Sequence, residues 1–269
     1  MITHPIRRFQ RSLKRSGVAE TMKLCLKGLL HPRKYHLLPG LQRLDEEFDS
    51  RFGVDTASVI SLADLDVTGE NQVFGVSYWP TTYQKFRELL AYLPIRPENF
   101  TFIDFGSGKG KALLMASEFP FNAVIGIEIS KQLCEAASHN ILSFISPSRT
   151  CTPVELLCMD AASFTIPPDR LVCYFYNPFE EPVMAQVVQR LEDSLREVPR
   201  DVFVVYLNPI CGRLFDNSRL FARFKAGTNC RPLPGGQQSY SIWRSVAPQA
   251  AQPLSAPAIA STGAWQGER

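Results

Sequence analysis

Residues 101–112, with the sequence TFIDFGSGKGKA, constrain the fold of this chain more than any other stretch. The first half is a short run of apolar, aromatic and β-branched residues, which is typical of a buried strand. The second half is a Gly-x-Gly-x-Gly loop, and an apolar helical pattern follows it. Glycines leave backbone N–H groups open to close approach by a ligand. We therefore predict a strand–loop–helix unit that binds a ligand at its loop; the alternative is a tight turn without one.

A second apolar run at 123–129 follows this unit and carries an acid, Glu128, close to its end. In a doubly wound sheet, ligands bind at the carboxyl ends of parallel strands, where a carboxylate can accept both hydroxyls of a ribose. The acid follows the glycine loop at about the 20-residue spacing of one β-α-β unit. This spacing favours a nucleoside ligand.

Strand-like and helix-like patterns alternate through the middle of the chain. We predict strands at 101–106, 123–129, 154–160, 171–177 and 201–208, with helices at 83–92, 109–119, 131–145, 180–197 and within 211–224. Thr81 or Thr82 can cap the first of these helices. Residues 225–231 and 239–246 flank a hairpin-like turn. The alternation predicts an α/β fold: a doubly wound, mostly parallel sheet with helices on both faces.

The glycine loop discriminates between two kinds of nucleoside ligand. A dinucleotide fold requires Gly-x-Gly-x-x-Gly, and the third glycine position here is Lys111, so NAD-dependent redox chemistry fits less well. The Asp-x-Gly-x-Gly-x-Gly form at 104–110 instead resembles motif I of class I S-adenosylmethionine-dependent methyltransferases. That resemblance implies a seven-stranded sheet with a C-terminal antiparallel hairpin strand, and S-adenosyl-L-methionine as the cofactor.

Further motifs of that family occur in the same order along the chain. Glu128 matches the acid that binds the cofactor ribose, and Asp160 matches the acid that faces the adenine amino group. Asp104 is expected to help hold the cofactor's ammonium group. The segment that contains Tyr78 and Thr81 resembles the loop that closes over the methionine end in Dot1-like protein-lysine methyltransferases; the alternative is a hydrophobic cap over the sheet. The resemblance implies cofactor-binding roles for Tyr78, Thr81, Asp104, Gly106, Ser107, Gly108, Gly110, Glu128, Ile129, Asp160, Ala161 and Asn177.

The predicted catalytic residues are Asn177, Pro178 and Phe179, which follow the fourth strand. They resemble the Asn/Asp-Pro-Pro-Tyr/Phe signature of amine-directed methyltransferases, although the second proline is missing. The expected activity is methyl transfer to nitrogen, on a protein lysine or another amine. The alternatives are O-methylation of a small molecule or sugar, and a non-catalytic nucleoside-binding module. Asn208, after the fifth strand, is a second polar candidate on the acceptor side.

Two lysines, Lys109 and Lys111, lie at the start of the helix that follows the glycine loop. A cation at a helix N-terminus opposes the helix dipole, so we expect both side chains to face solvent.

The chain is predicted to have four parts: a basic helical extension (1–40), a connector or cap (41–77), a methyltransferase domain (78–247) and a disordered tail (248–269). The extension carries nine Lys or Arg residues and one acid, so it could contact an acidic partner, nucleic acid or a membrane surface. Residues 52–56 (FGVDT) resemble a segment of uncharacterised bacterial class I methyltransferases. Seven scattered cysteines, no metal-ligand spacing and no transmembrane segment predict a cytoplasmic protein without a metal.

Overall fold

The structure is a computed structural model, and it describes residues 39–58, 60, 80–228 and 239–246. Residues 1–38 of the predicted basic extension, residues 59 and 61–77 of the connector, Tyr78 and the predicted tail lie outside the described residues. The four-part division of the chain therefore stays a prediction.

Seven strands of the described part form a single sheet in the order β3-β2-β1-β4-β5-β7-β6. The first five strands are parallel to one another, and β7 runs antiparallel to both β5 and β6. Their bounds are β1 (Thr101–Phe105), β2 (Ala123–Glu128), β3 (Val154–Cys158), β4 (Leu171–Tyr176), β5 (Val202–Leu207), β6 (Phe221–Thr228) and β7 (Ser239–Ser245). This sheet confirms the predicted doubly wound fold with its antiparallel strand.

Helices cover both faces of this sheet. They are α1 (Pro39–Phe52), α2 (Tyr83–Ala91), α3 (Lys111–Ala116), α4 (Lys131–Ser143), α5 (Glu181–Glu197) and α6 (Arg213–Asp216), with 3-10 turns at Pro97–Asn99 and Ala161–Ser163.

The central strands are buried on both faces, as their continuous apolar sequences require. Along β4, Val172 and Tyr174 join a core shared with α1, α2 and α3, whereas Cys173 and Phe175 join a core shared with α5 and α6. Because side chains alternate across a strand, one apolar run supplies both cores. The two cores hold the carboxyl ends of β1, β2, β4 and β5 in a fixed arrangement.

The sequence predicted the central strands to within about two residues, and two other details were wrong. The helix expected within 211–224 is only one turn long, and residues from Phe221 onwards form β6. In β6, Phe221 is buried and most of the following side chains are exposed, as expected for a strand at the edge of a sheet. Thr82 occupies the N-cap position of α2, but its hydroxyl makes no capping hydrogen bond.

Among the described residues, no helix combines the length and the apolar character that a membrane crossing requires. The described cysteines are free thiols, of which Cys134, Cys151, Cys173 and Cys211 are buried and Cys158 is exposed.

Candidate functional site

The glycine loop joins β1 to α3 at the carboxyl edge of the sheet. Gly106, Gly108 and Gly110 all have positive φ, at +82°, +56° and +82°. Side chains rarely adopt this backbone conformation, so the glycines are required by the turn itself. The amides of Gly106 and Ser107 both donate to the carbonyl of Ile127, at 2.8 and 3.0 Å. These bonds hold the loop against the end of β2.

Glu128 points at the glycine loop from the last position of β2. One carboxylate oxygen accepts a hydrogen bond from the Gly108 amide at 2.9 Å, and the other accepts from the Ser130 amide at 2.9 Å. Burial raises the pKa of Glu128, and the backbone amides of Ser130, Gly108 and Ile129 partly offset that shift. A buried carboxylate with lone pairs to spare beside the loop is suited to accept hydroxyl donors.

Asp104 lies on β1, two residues before the glycine loop, and is 4% exposed. Burial, with a smaller contribution from the charge of Glu128, raises the pKa of Asp104 well above its ordinary value of 3.8. A carboxyl group in this environment becomes easier to ionise when a cation approaches it. The position therefore suits a ligand that carries a positive charge.

Ser107 provides a direct test of whether the site fits a polar ligand. Its hydroxyl oxygen is buried and has no hydrogen-bond partner among the described residues. It faces Gly126 of β2, where an added Cβ would lie 3.0 Å from the hydroxyl oxygen. Since buried polar atoms are nearly always hydrogen-bonded, this orphaned hydroxyl at the loop fits a site that a polar ligand completes.

Three further predicted cofactor-binding residues, of which Asp160 is the one expected to face the adenine, lie at the neighbouring ends of β2 and β3. The Met159 amide donates to the Glu128 carbonyl at 2.8 Å, which keeps the two strand ends together. Asp160 follows directly, and its carboxylate accepts from the Ala162 amide at 2.8 Å. Ala161 is buried and Ile129 is half-buried. The structure thus groups Ile129, Asp160 and Ala161 beside Glu128, and their contacts with a ligand stay predictions.

The predicted catalytic turn, Asn177-Pro178-Phe179, follows β4 and touches the glycine loop. A Cβ added at Gly106 would lie 2.3 Å from Cβ of Pro178. Phe179 is buried, whereas Asn177 and Pro178 are half-buried. Asn177 itself has a φ of +43°, a strained conformation that asparagine tolerates better than most residues. The predicted acceptor turn and cofactor loop are therefore in direct contact.

Tyr206 on β5 contacts the side chain of Asn177, a pairing that no local sequence pattern indicates. Its hydroxyl donates to Oδ1 of Asn177 at 3.3 Å. Asn208 follows β5 with a φ of +53° and is half-buried. Asn177 and Asn208 are both followed by proline, and their strands are paired in register through Tyr176 and Leu207. Two asparagines with a left-handed backbone conformation thus lie side by side at this edge.

Thr81 is buried, and its hydroxyl shares a 2.6 Å hydrogen bond with that of Tyr174. Tyr174 is paired in register with Asp104, so Thr81 lies over the same part of the sheet as the predicted ammonium-binding acid. Its contact with a cofactor stays a prediction, and Tyr78 lies outside the described residues.

The expectation that Lys109 and Lys111 face solvent was wrong. Both side chains are almost completely buried, and each is paired with an acid from the segment that precedes α2. Lys111 forms an ion pair with Asp45 of α1, and Lys109 forms one with Asp55. The acids come from more than 50 residues earlier in the chain, so no local pattern around the lysines indicates the pairing.

Comparisons with known proteins found similarity only at the level of structure. No family model matches the sequence, and no curated protein matches it. A solved S-adenosylmethionine-dependent methyltransferase from Leishmania major is 14% identical, with a TM-score of 0.46, over 60% of this chain and 70% of that one.

Two further solved structures have similar scores. The N-methyltransferase NodS from Bradyrhizobium japonicum, in complex with S-adenosyl-L-homocysteine, is 8% identical with a TM-score of 0.43, over 60% of this chain and 86% of that one. TrmN from Thermus thermophilus is 17% identical with a TM-score of 0.44, over 62% of this chain and 49% of the TrmN chain.

The strand order, the reversed β7 and the glycine loop after β1 identify the fold from the chain's own geometry. The chain has the class I methyltransferase fold. Within that fold, the glycine loop, Glu128, Asp160 and the Asn-Pro-Phe turn lie at the carboxyl edge of the parallel strands, where ligands of doubly wound sheets bind.

Proposed function

We propose that this protein transfers a methyl group from S-adenosyl-L-methionine to a nitrogen acceptor, either a protein lysine or another amine. The observation that carries the proposal is the contact between two turns. Gly106 of the glycine loop packs against Pro178 of the Asn-Pro-Phe turn, so a loop that suits the cofactor adjoins a turn that suits an amine.

The described residues offer a partner for each polar part of the cofactor. Glu128 would accept the ribose hydroxyls, Asp104 would face the ammonium group, and Asp160 would face the adenine amino group. The orphaned hydroxyl of Ser107 would gain a partner at the loop. When bound, the cofactor supplies a methyl group on a sulfonium, which is already activated for transfer. The protein then has to align the acceptor and exclude water.

The Asn-Pro-Phe turn would hold the acceptor. The side-chain carbonyl of Asn177 and the backbone carbonyl of Pro178 can each accept an N–H from an amine, which directs the nitrogen lone pair. Tyr206 occupies one lone pair of the Asn177 carbonyl oxygen, and the second stays available. Phe179 would form an apolar wall. These are neutral groups, so they suit an amine that arrives uncharged.

Nitrogen is a better acceptor for this turn than oxygen. Transfer to a hydroxyl needs a general base close to the acceptor. Among the described residues, the only histidine is His139, on α4, where it contacts Ser143 rather than the Asn-Pro-Phe turn. Burial raises the pKa of Tyr206, which keeps its hydroxyl protonated and therefore unavailable as a general base.

The experiment is incubation of the full chain and radiolabelled S-adenosylmethionine with lysate of the native host, followed by separation into protein, nucleic-acid and small-molecule fractions. We expect label on an amine nitrogen, stable to mild base, in the protein or small-molecule fraction. Methyl esters or ethers as the products would contradict nitrogen transfer. Ligand binding without label in any fraction would contradict catalysis.

A pair of variants at one position separates side-chain chemistry from backbone strain. Asn177→Gly keeps the positive φ and removes the amide, so it should fold normally and lose roughly 100-fold in transfer rate. Asn177→Asp keeps the shape and adds a charge. If Asn177→Gly transfers methyl groups at the rate of the unmodified protein, the proposed role of this side chain is wrong.

A further inference from the structure

The glycine loop is held from outside by the last turn of α1 and the residues that follow it. We call residues 49–58 the clasp. Asp55 of the clasp accepts hydrogen bonds from Nζ of Lys109 with both carboxylate oxygens, each at 2.9 Å, and Ser58 Oγ accepts another at 2.6 Å. The Lys109 side chain is only 5% exposed, whereas that of Asp55 is 74% exposed. The clasp therefore lies over Lys109, with its acid on the solvent side.

Asn140 of α4 joins the clasp to the backbone of the same loop. Its Nδ2 donates to the carbonyls of both Asp55 and Lys109, each at 2.9 Å, and its Oδ1 accepts from the Asp55 amide at 2.8 Å. The side chain is 1% exposed. A buried amide with three satisfied polar contacts fixes the two backbones relative to each other.

The clasp has its own internal hydrogen bonds, which keep Asp55 in place. The Asp49 carboxylate accepts from the amides of Thr56 and Ala57, at 2.6 and 2.7 Å, and from the Thr56 hydroxyl at 2.5 Å. Gly53 ends α1 with a φ of +70°. The turn is thus ordered by contacts of its own and presents its carboxylate to Lys109.

The loop needs such external contacts because of its composition. Glycine loses more conformational freedom on ordering than any other residue, and three glycines alternate here within five positions. Lys109 is the residue between Gly108 and Gly110, and both its side chain and its carbonyl are held. Fixing that residue restricts the two peptide groups that flank it, and the Gly108 amide that donates to Glu128 belongs to the next peptide group toward the N-terminus.

We propose that Asp55, Lys109 and Asn140 are positioning residues for the cofactor. The clasp holds the glycine loop in its binding conformation before the ligand arrives, and its release loosens the loop. This inference rests on the proposed function, because the ligand that it concerns is the proposed cofactor. It assigns a function to the FGVDT turn, to Lys109 and to Asn140, none of which is in the predicted set of site residues.

The test compares Asp55→Asn, Lys109→Met and the double variant with the unmodified full chain. Calorimetry measures the affinity for S-adenosylhomocysteine, and amide hydrogen exchange without ligand measures protection at Gly108 and Gly110. Asp193→Asn is the matched control, since Asp193 also forms an ion pair, with Arg196 on the exposed face of α5, far from the loop in sequence.

Each single variant should bind the ligand about tenfold more weakly, as expected when a preorganised loop becomes mobile. The double variant should bind no more weakly than the worse single variant, because both substitutions remove the same contact. The Gly108 and Gly110 amides should exchange faster in all three, with the denaturation midpoint of Asp55→Asn close to that of the Asp193→Asn control.

Unchanged affinity together with unchanged exchange in Asp55→Asn and Lys109→Met would overturn the inference, as would losses of affinity that add fully in the double variant. If the unmodified chain binds no S-adenosylhomocysteine, the proposed cofactor is wrong. The exchange measurement then still decides whether the clasp orders the loop, so the two failures are distinguishable.

Discussion

Pro178 lies so close to Gly106 that a Cβ at position 106 would be 2.3 Å from the proline Cβ. Gly106 belongs to the loop after β1, and Pro178 belongs to the turn after β4, the adjacent parallel strand. A proposed ligand loop and a proposed acceptor turn are thus packed against each other at one edge of the sheet. Their relative position is the basis of the predictions that follow.

The first prediction concerns that contact. Gly106→Ala should lower the free energy of unfolding by more than Gly53→Ala, although both glycines have positive φ, at +82° and +70°. Left-handed strain costs about 1–2 kcal/mol at either site, and only position 106 adds overpacking of about 1–3 kcal/mol. Nothing lies within 4 Å of a Cβ built at Gly53. Denaturant titration measures the free energy of unfolding of both variants. If the two variants lose the same amount, Pro178 can move aside freely.

The second prediction concerns Glu128, which contacts the glycine loop and is the residue proposed to accept the ribose hydroxyls. Glu128→Ala removes a buried carboxylate and its bonds to Gly108 and Ser130, so affinity for S-adenosylhomocysteine should fall by about 10- to 100-fold. Gly108→Arg should also weaken binding, because arginine is strained at a φ of +56° and fills the loop. Calorimetry on both variants tests this, and unchanged affinity in both would place the ligand elsewhere.

The third prediction concerns the pH dependence of ligand binding through Asp104, whose pKa is raised well above 3.8 by burial and by Glu128. The ionised form pairs with the ligand's ammonium group, so binding releases a proton, and affinity should rise with pH through the raised pKa. Calorimetry in two buffers with different ionisation enthalpies detects that release. Affinity and heat independent of pH and buffer would contradict the assignment.

Asp104→Asn provides the control for the same group. Because the folded pKa is raised, the neutral carboxyl stabilises the fold at low pH, and that contribution is lost as the pH rises through the folded pKa. The asparagine variant does not ionise, so at high pH its ligand-free form should be at least as stable as the unmodified chain. It should also bind S-adenosylhomocysteine more weakly, without the rise in affinity with pH.

The fourth prediction concerns the buried ion pair of Lys111 and Asp45, whose side chains are 2% and 6% exposed. Asp45→Asn leaves an uncompensated buried cation and should cost about 3–5 kcal/mol in the free energy of unfolding. Asp45→Leu combined with Lys111→Met should recover most of that loss, because apolar groups of similar size need no desolvation. Thermal and denaturant unfolding test this. A double variant less stable than Asp45→Asn would contradict the explanation.

The sequence predicted the fold well where local pattern and tertiary environment agree. The central strands are continuous apolar runs, and such runs are buried on both faces wherever they lie in a doubly wound sheet. Residues 217–228 were harder to predict, because most side chains of the edge strand β6 are exposed and show no alternation of apolar and polar residues that would distinguish a strand from a helix. β6 is ordered by pairing with β7, which is a contact that no local window contains.

The candidate site shows the same difference between local sequence signals and contacts that are distant in sequence. The positions of Gly106, Glu128 and Asn177 at this edge could be predicted because a glycine loop, an acid at a strand end and an Asn-Pro turn are local signals. Lys109 was misjudged because the dipole argument considered only its own helix, whereas its partner Asp55 lies 54 residues earlier. The contact of Tyr206 with Asn177 could not be predicted, because a tyrosine within an apolar strand has no local feature that distinguishes a positioning role from core packing.

The central claim is that the carboxyl edge of β1 and β2 binds S-adenosyl-L-methionine, and direct titration of the full chain with S-adenosylhomocysteine tests it most simply. We predict saturable binding at one site per chain, which weakens in Glu128→Ala and persists in Asp193→Asn. Absence of heat and of any thermal shift at the highest ligand concentrations that the calorimeter allows would contradict the claim.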